Sequence, residues 1–253
     1  DVRGSFSESS EPDSRYAAGI DFALDSLRRS RLRLEGVSQR RLPDLRMLYD
    51  QWMLGLPTLR PVASQHLSLK FQHREQIDFE LRASHLSHNT WYDSLLTVCE
   101  GNADLWLYQG RLTLRLQWRA LHADMQQLVQ LSTDSLQMPV PLLASKNSFY
   151  ADIRLFRRAV RMQVGFDLRY HSPFCAPAYD PATGLFHHQD NQRVGGYLWA
   201  DAFINMQVKR ASFYIKGGHL NALWDTSPDY FLLPHYPGRR FGLYWGIEWN
   251  FFD

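Results

Sequence analysis

Apolar and polar residues alternate with a period of two along most of the chain. The alternation is clearest at 77–83, 112–118, 160–170 and 198–208. Because residues i and i+2 of a strand share a face, each segment has one apolar and one polar face. Soluble strands average about 5–6 residues, whereas a strand crossing a bilayer needs about 9–11 and many of these segments are at least that long. The pattern therefore favours membrane-crossing strands over a soluble sheet with one face on a core.

Eleven strands are predicted, separated by connections of alternating length. They are expected at about 17–27, 29–37, 64–73, 75–86, 103–118, 121–132, 146–156, 158–171, 197–209, 211–224 and 240–252. Long connections fall at 38–63, 87–102, 133–145, 172–196 and 225–239. Short turns on one side and long loops on the other are typical of outer-membrane barrels. The predicted fold class is therefore all-β, an antiparallel transmembrane β-barrel with about 11–12 strands in this chain.

The ends of the chain set the predicted domain organisation. Residues 1–16 begin with a stretch rich in serine and acidic residues, which predicts a flexible lead-in, and 17–253 form the barrel. Outer-membrane barrels have even strand numbers, so an odd count implies missing upstream strands or an overlooked strand. We expect the chain to be a fragment of a longer protein or one part of a larger barrel.

One predicted strand contains a break in the alternation. Leu105 and Leu107 occupy odd positions, whereas the apolar residues of 112–118 occupy even ones, and Gly110 lies between them. A β-bulge at Gly110 would restore the facing, because one extra residue reverses the side on which later side chains point. A tight turn at this glycine is the alternative.

Composition excludes several classes of protein. The 253 residues carry a net charge of only +2, which argues against a nucleic-acid binder. There is no apolar run of the ~18 residues that a membrane-spanning helix needs. Aromatic residues reach 14%, which suits a surface with an apolar band and wet ends. The two cysteines lie far apart and do not form a metal-type pair, and a disulfide between them stays open.

The polar faces of the predicted strands supply the candidate functional residues. The candidate pore-lining residues are Arg111, Arg115, Arg119, Arg161, Asp167, Arg169, Asp201 and Lys209. A mainly cationic wall favours anionic or zwitterionic solutes by raising their local concentration. The alternative is that these charges pair across the lumen and plug it. No hydrolase or phosphate-binding motif occurs, and the histidines lack supporting ligands, so we expect no enzyme activity, cofactor or metal site.

The final segment resembles the C-terminal recognition signal of bacterial barrels. Four residues occupy the places of that signal: Tyr244, Gly246, Trp249 and Phe251. Trp249 and Phe251 would lie at the bilayer edge, where aromatic girdles form. An ordinary glycine-containing strand is the alternative. The resemblance implies recognition by the barrel assembly machinery.

A set of local motifs in a fixed order carries a wider resemblance. The motifs are Pro139–Pro141, Phe149–Tyr150, Gly165–Tyr170, Ala176–Pro181, Asp201–Asn205, Lys209–Arg210, His219–Asn221, Tyr230–Phe231 and Pro234–Pro237. In its C-terminal two-thirds the chain resembles the putative porin family of Bacteroidetes outer membranes. The resemblance implies a bacterial outer-membrane protein in contact with lipid that passes small hydrophilic solutes. The alternative is a non-conducting barrel that anchors or binds other outer-membrane or periplasmic proteins through loops 38–63 and 172–196.

Overall fold

Strands make up most of the folded chain. A computed structural model describes residues 2–9, 14–25, 29–157, 159–224 and 230–249. The strands are β1 (Val2–Ser9), β2 (Ser14–Ala23), β3 (Ser30–Arg41), β4 (Val62–His73), β5 (Ile77–Ser87), β6 (Thr90–Tyr92), β7 (Val98–Glu100), β8 (Leu105–Trp118), β9 (Leu121–Ser132), β10 (Leu143–Leu155), β11 (Val160–His171), β12 (Ala178–Asp180), β13 (Leu185–His187), β14 (Leu198–Val208), β15 (Ala211–Gly218), β16 (Phe231–Leu233), β17 (Tyr236–Pro237) and β18 (Gly242–Trp249). The helical elements are α1 (Leu45–Leu54) and a 3-10 turn at Leu220–Leu223.

Twelve strands form one antiparallel meander in the order β1-β2-β3-β4-β5-β8-β9-β10-β11-β14-β15-β18. The other six strands form three two-stranded hairpins within the connections. All eleven strands predicted from the alternation occur in this sheet, and the all-β antiparallel fold class is confirmed. None of the helices in the described ranges is both long enough and apolar enough to cross a membrane.

The twelfth strand corrects the expectation of a lead-in at 1–16. Residues 2–9 form β1, which pairs with β2 along its whole length, from Val2↔Phe22 to Ser9↔Arg15. The serine-rich sequence hides this strand, since a backbone ladder needs no apolar row. The overlooked strand also accounts for the odd count. Within the described part of the chain, β1 and β18 are not hydrogen-bonded to each other, and membership of a larger barrel stays a prediction.

The alternation break at Gly110 is neither a bulge nor a turn. The ladder between β5 and β8 runs without a register shift from Ile77↔Leu114 through Leu81↔Gly110 to Leu86↔Leu105. Leu105 therefore lies on the same face as the arginines of β8, and it is completely buried. An apolar residue is tolerated there because this end of the face is covered, so the break marks a change of environment along one strand.

The sheet has an apolar face whose side chains do not form a protein core. Apolar residues that are cross-strand neighbours, such as Val164, Ile204 and Ile215, fall on this apolar face. Many of them are exposed, up to 71% for Trp245 and 65% for Leu243. An exposed apolar surface that spans a whole sheet far exceeds what soluble monomers present. The apolar face is therefore suited to contact with lipid.

The connections sort by length between the two edges of the sheet. Tight turns join β4 to β5, β8 to β9, β10 to β11 and β14 to β15 at one edge, which we call the turn edge. The opposite loop edge carries α1 and the three hairpins. Helix α1 begins at Asp44, whose carboxylate accepts a hydrogen bond from the Arg46 amide at 2.8 Å, and ends at Gly55, where φ is 63°. The predicted separation of short turns from long loops is thus confirmed.

Candidate functional site: the polar face of the sheet

Six of the eight predicted pore-lining residues lie on the polar face, opposite the apolar rows. These are Arg111, Arg115, Arg161, Asp167, Arg169 and Asp201. Arg119 and Lys209 do not lie on the strands. They lie in the tight turns after β8 and β14 with φ of 54° and 53°. The alternation could not separate a strand end from the turn that follows it, so these two residues lie at the turn edge and not along the strands as expected.

A first network of charges crosses the polar face from β2 to β8. Its members are Asp21, Arg33, Glu35, Lys70, Glu80, Arg82 and Arg111. Glu80 is the centre, because its carboxylate lies 2.8 Å from Arg82 and 3.8 Å from Lys70. Only 8% of Glu80 is exposed, which fits a carboxylate surrounded by cations. Four of these six ion pairs join neighbouring strands, whereas Arg33–Glu35 and Glu80–Arg82 each lie within one strand.

A second network centres on Asp201 in β14. Its carboxylate lies 2.8 Å from Arg169 and 2.9 Å from Lys216, and it accepts a hydrogen bond from the His219 amide at 2.8 Å. Asp201 is 2% exposed. Lys216 also lies 3.8 Å from Asp167, which is the register partner of Asp201. The lysine therefore separates two carboxylates that would otherwise repel each other.

Near the turn edge the polar face remains charged. Arg161 forms a two-pronged ion pair with Asp152, in which its Nε lies 3.0 Å from one carboxylate oxygen. Arg115 donates to the Glu75 carbonyl at 3.2 Å. Both arginines are exposed on the polar face.

A cavity of about 920 Å³ opens on the polar face towards the loop edge. The charged side chains that line it are Arg111, Lys146, Arg169, Lys216, Arg239, Arg240 and a single carboxylate, Asp201. Aromatic residues, including Trp199, Tyr230 and Tyr244, form part of its walls. A concave site with six cations and one anion concentrates negatively charged solutes. Lys146 and Lys216 were not among the predicted pore-lining residues, although both lie at polar positions of alternating strands.

Buried hydrogen bonds hold the loop wall of this cavity in place. His219 is 1% exposed, its Nδ1 lies 2.6 Å from the Arg239 carbonyl and its Nε2 lies 2.8 Å from the Tyr197 hydroxyl. Since a carbonyl only accepts, Nδ1 carries the proton and Nε2 accepts from the tyrosine. The indole of Trp199 stacks on the imidazole with ring centroids 3.8 Å apart. The network fixes the loop after β15 against β14.

The connections at the loop edge are bonded to one another and form a cap. The Tyr92 hydroxyl donates to Asp50 of α1 at 2.8 Å, and the Asn89 amide donates to the Gln137 carbonyl at 2.9 Å. Arg60 pairs with Glu100 at 2.6 Å. Burial raises the pKa of the Glu100 carboxyl, but hydrogen bonds from Arg60 outweigh burial and hold that pKa below its ordinary value. Most of the buried apolar residues of the described chain belong to this cap: Tyr92, Val98, Ala176, Ala178 and Val194.

The cap should loosen at mildly acidic pH through His188. Its amide donates to the Tyr92 carbonyl at 2.7 Å, and its ring stacks on Trp91 with centroids 5.7 Å apart. Burial, with a contribution from His187, lowers the pKa of the His188 imidazole. Because the folded protein binds a proton at this ring less readily than the unfolded chain does, the fold is most stable at a pH above the pKa of the unfolded chain, about 6.5. That stability is lost as the pH falls below this value. We expect the His188 amide to exchange hydrogen faster at pH 5.5 than at pH 7.5, after correction for intrinsic rates.

The matched control for this pH effect is His188→Gln, which removes the titrating ring while keeping a polar side chain. In that variant the protection of residues 185–194 should no longer change between the two pH values. Equal protection of the unmodified protein at both pH values would contradict a role for His188 protonation.

The predicted C-terminal signal lies on both faces of β18. Trp249 is on the apolar face, Tyr244 and Gly246 are on the polar face, and Phe251 lies outside the described residues. Gly246 is opposite Tyr214, and a Cβ atom at this position would collide with the tyrosine ring. The glycine is therefore required by close packing within the sheet, and recognition of the segment by assembly machinery stays a prediction.

Together these features define a class of protein: an all-β antiparallel sheet with an exposed apolar face, a charged face and capped loops. The chain belongs to the family described as "putative porin", whose model matches residues 2–253. No curated protein matches the chain. The family match extends the resemblance from the C-terminal two-thirds to almost the whole sequence.

Proposed function

We propose that this protein is a bacterial outer-membrane barrel that passes small hydrophilic solutes along its polar face, with a preference for anions. One observation carries the proposal: many apolar side chains on one face of the sheet are exposed, while charges line the other face. This arrangement suits a sheet curved around a wet interior with lipid outside, because every strand then satisfies both environments. Passage without a catalytic step agrees with the family to which the chain belongs.

The anion preference follows from how the charges are distributed. Carboxylates of the polar face, such as Glu80 and Asp201, are each shared by more than one cation. The cavity near the loop edge contains six cations and one carboxylate. The local potential that a solute meets there is positive, and this raises the concentration of anions.

Planar-bilayer recording of the full-length purified protein tests this proposal. We expect single-channel conductance with a reversal potential that shows anion preference in a salt gradient. Arg161→Glu and Arg115→Glu should each move the reversal potential towards cation preference, because both arginines lie on the polar face. Arg119→Glu makes the same charge change in a turn and should shift it less.

Two outcomes would contradict the proposal. A conducting protein whose selectivity ignores both substitutions would show that these arginines do not line the path. A silent protein that co-purifies with fixed partners would favour the anchoring alternative.

A further inference from the structure

Three donor side chains lie in one row across the cavity wall. Lys146 on β10 is the register partner of Gln126 on β9 and of Arg169 on β11. All three line the cavity. Directly opposite side chains on one face of an antiparallel pair have Cβ atoms about 4.5–5.5 Å apart. The row therefore brings an ammonium, a guanidinium and a carboxamide close together.

Lys146 adds a positive charge to this row that no carboxylate of the described residues balances. Lys146 is exposed, its two register partners are an amide and a cation, and no described carboxylate pairs with it. Arg169 and Lys216 share Asp201, and Lys216 also lies 3.8 Å from Asp167, so Lys146 is the cation of this row that has no acidic partner among the described residues. Like charges placed directly opposite each other destabilise a sheet. An anion bound between Lys146 and Arg169 would remove this repulsion.

The guanidinium of the row is held in position before any solute arrives. One Nη atom of Arg169 donates to Asp201 at 2.8 Å, and its guanidinium carbon lies 5.7 Å from the centroid of the Trp199 ring. Yet its side chain is 51% exposed, so other N–H groups remain accessible. A guanidinium fixed by an ion pair and an aromatic ring loses little freedom on binding, which favours affinity.

We propose that Gln126, Lys146 and Arg169 form a saturable binding site for the phosphate or carboxylate group of a small organic anion. The inference rests on the proposed function, since it names the solute class that the pathway would take. Ammonium and guanidinium groups form strong charge-assisted hydrogen bonds with these oxyanions, and the Gln126 amide adds a neutral donor. The cavity of about 920 Å³ exceeds the size of an inorganic ion, so the rest of an organic solute fits against its aromatic walls.

Calorimetric titration of the full-length protein in detergent tests the site with three probes. The probes are glycerol 3-phosphate, succinate and glycerol, which separate phosphate from carboxylate chemistry and both from the neutral carbon skeleton. We expect saturable binding of at least one of the two anions and none of glycerol. If neither anion binds saturably, the inference is overturned.

Two lysine variants test whether binding occurs at this row. Lys146→Met should weaken anion binding by about tenfold, as expected for losing one charge-assisted hydrogen bond. Lys70→Met removes the same charge from the same face but in the first network, outside the cavity, and should change binding less than about twofold. Equal weakening in the two variants would mean that only the general potential of the face matters, and would overturn the site.

The failure of this inference can be distinguished from the failure of the proposed function. Anion-selective conductance without saturable binding would remove the site and leave the pathway. Saturable binding that Lys146→Met weakens as expected, in a protein that does not conduct, would keep the site and remove the pathway.

Discussion

Ile204→Arg is expected to destabilise the folded protein in lipid vesicles by about 2–4 kcal/mol, the cost of a cation on the lipid face near the bilayer midplane. Ile204 lies near the middle of β14, between Val164 and Ile215 on the apolar face, and is 37% exposed. If this surface contacts hydrocarbon, the guanidinium has no water or partner within reach. Urea unfolding of the vesicle-inserted protein measures the loss.

The neighbouring residue supplies the matched control for this substitution. Asn205 is exposed and lies on the polar face between Gln163 and Tyr214. Asn205→Arg introduces the same side chain into the same strand one residue later, and should change stability by no more than about 0.5 kcal/mol. Comparable costs for the two variants would refute the division into a lipid face and a wet face. A harmless Ile204→Arg would do the same.

The parts of the fold that repeat could be predicted from the sequence. The strict period of two in 160–170 and 198–208 fixed both the strands and their facing, because a half-buried strand leaves no other way to arrange its side chains. Loop lengths then separated the two edges. These predictions used only local pattern, and they agree with the ladders between β11 and β14.

Elements that depend on partners distant in sequence could not be predicted in this way. Strand β1 has no clear apolar row and is defined by its ladder to β2. The sequence contains a local signal for the helix at Leu45–Leu54, the N-capping residue Asp44. The spacing of the predicted strands nevertheless places this segment in the long connection 38–63. The network of Asp201 with His219 joins two strands and a loop through backbone and ring atoms. No spacing rule anticipates such contacts.

Asp201→Ala is expected to lower the free energy of unfolding by about 1–3 kcal/mol, the usual cost of leaving a buried donor without a partner. The lost acceptor serves the buried His219 amide at 2.8 Å, and the two cations that also lose it, Arg169 and Lys216, are exposed enough to turn to water. We expect faster exchange of the His219 amide and faster proteolysis of the loop between β15 and β18.

Two further variants separate the roles of this carboxylate. Asp201→Asn keeps an oxygen that can accept from the His219 amide but removes the charge, so it should recover most of the stability. Asp167→Asn removes a charge from the register partner, which is 3.8 Å from Lys216, and should cost little. Unchanged exchange at His219 in Asp201→Ala would show that the loop is held by other contacts.

Asp201 also opposes the anion preference that we propose. It is the single carboxylate among the charged side chains lining the cavity, and it neutralises part of the charge of Arg169 and Lys216. Asp201→Asn should therefore strengthen anion preference in bilayer recordings while leaving the loop after β15 in place. Asp201→Ala should strengthen it too, but with larger current fluctuations as the loop after β15 moves. Selectivity would then depend on the charge of Asp201, whereas stability would depend on its hydrogen bond to the His219 amide.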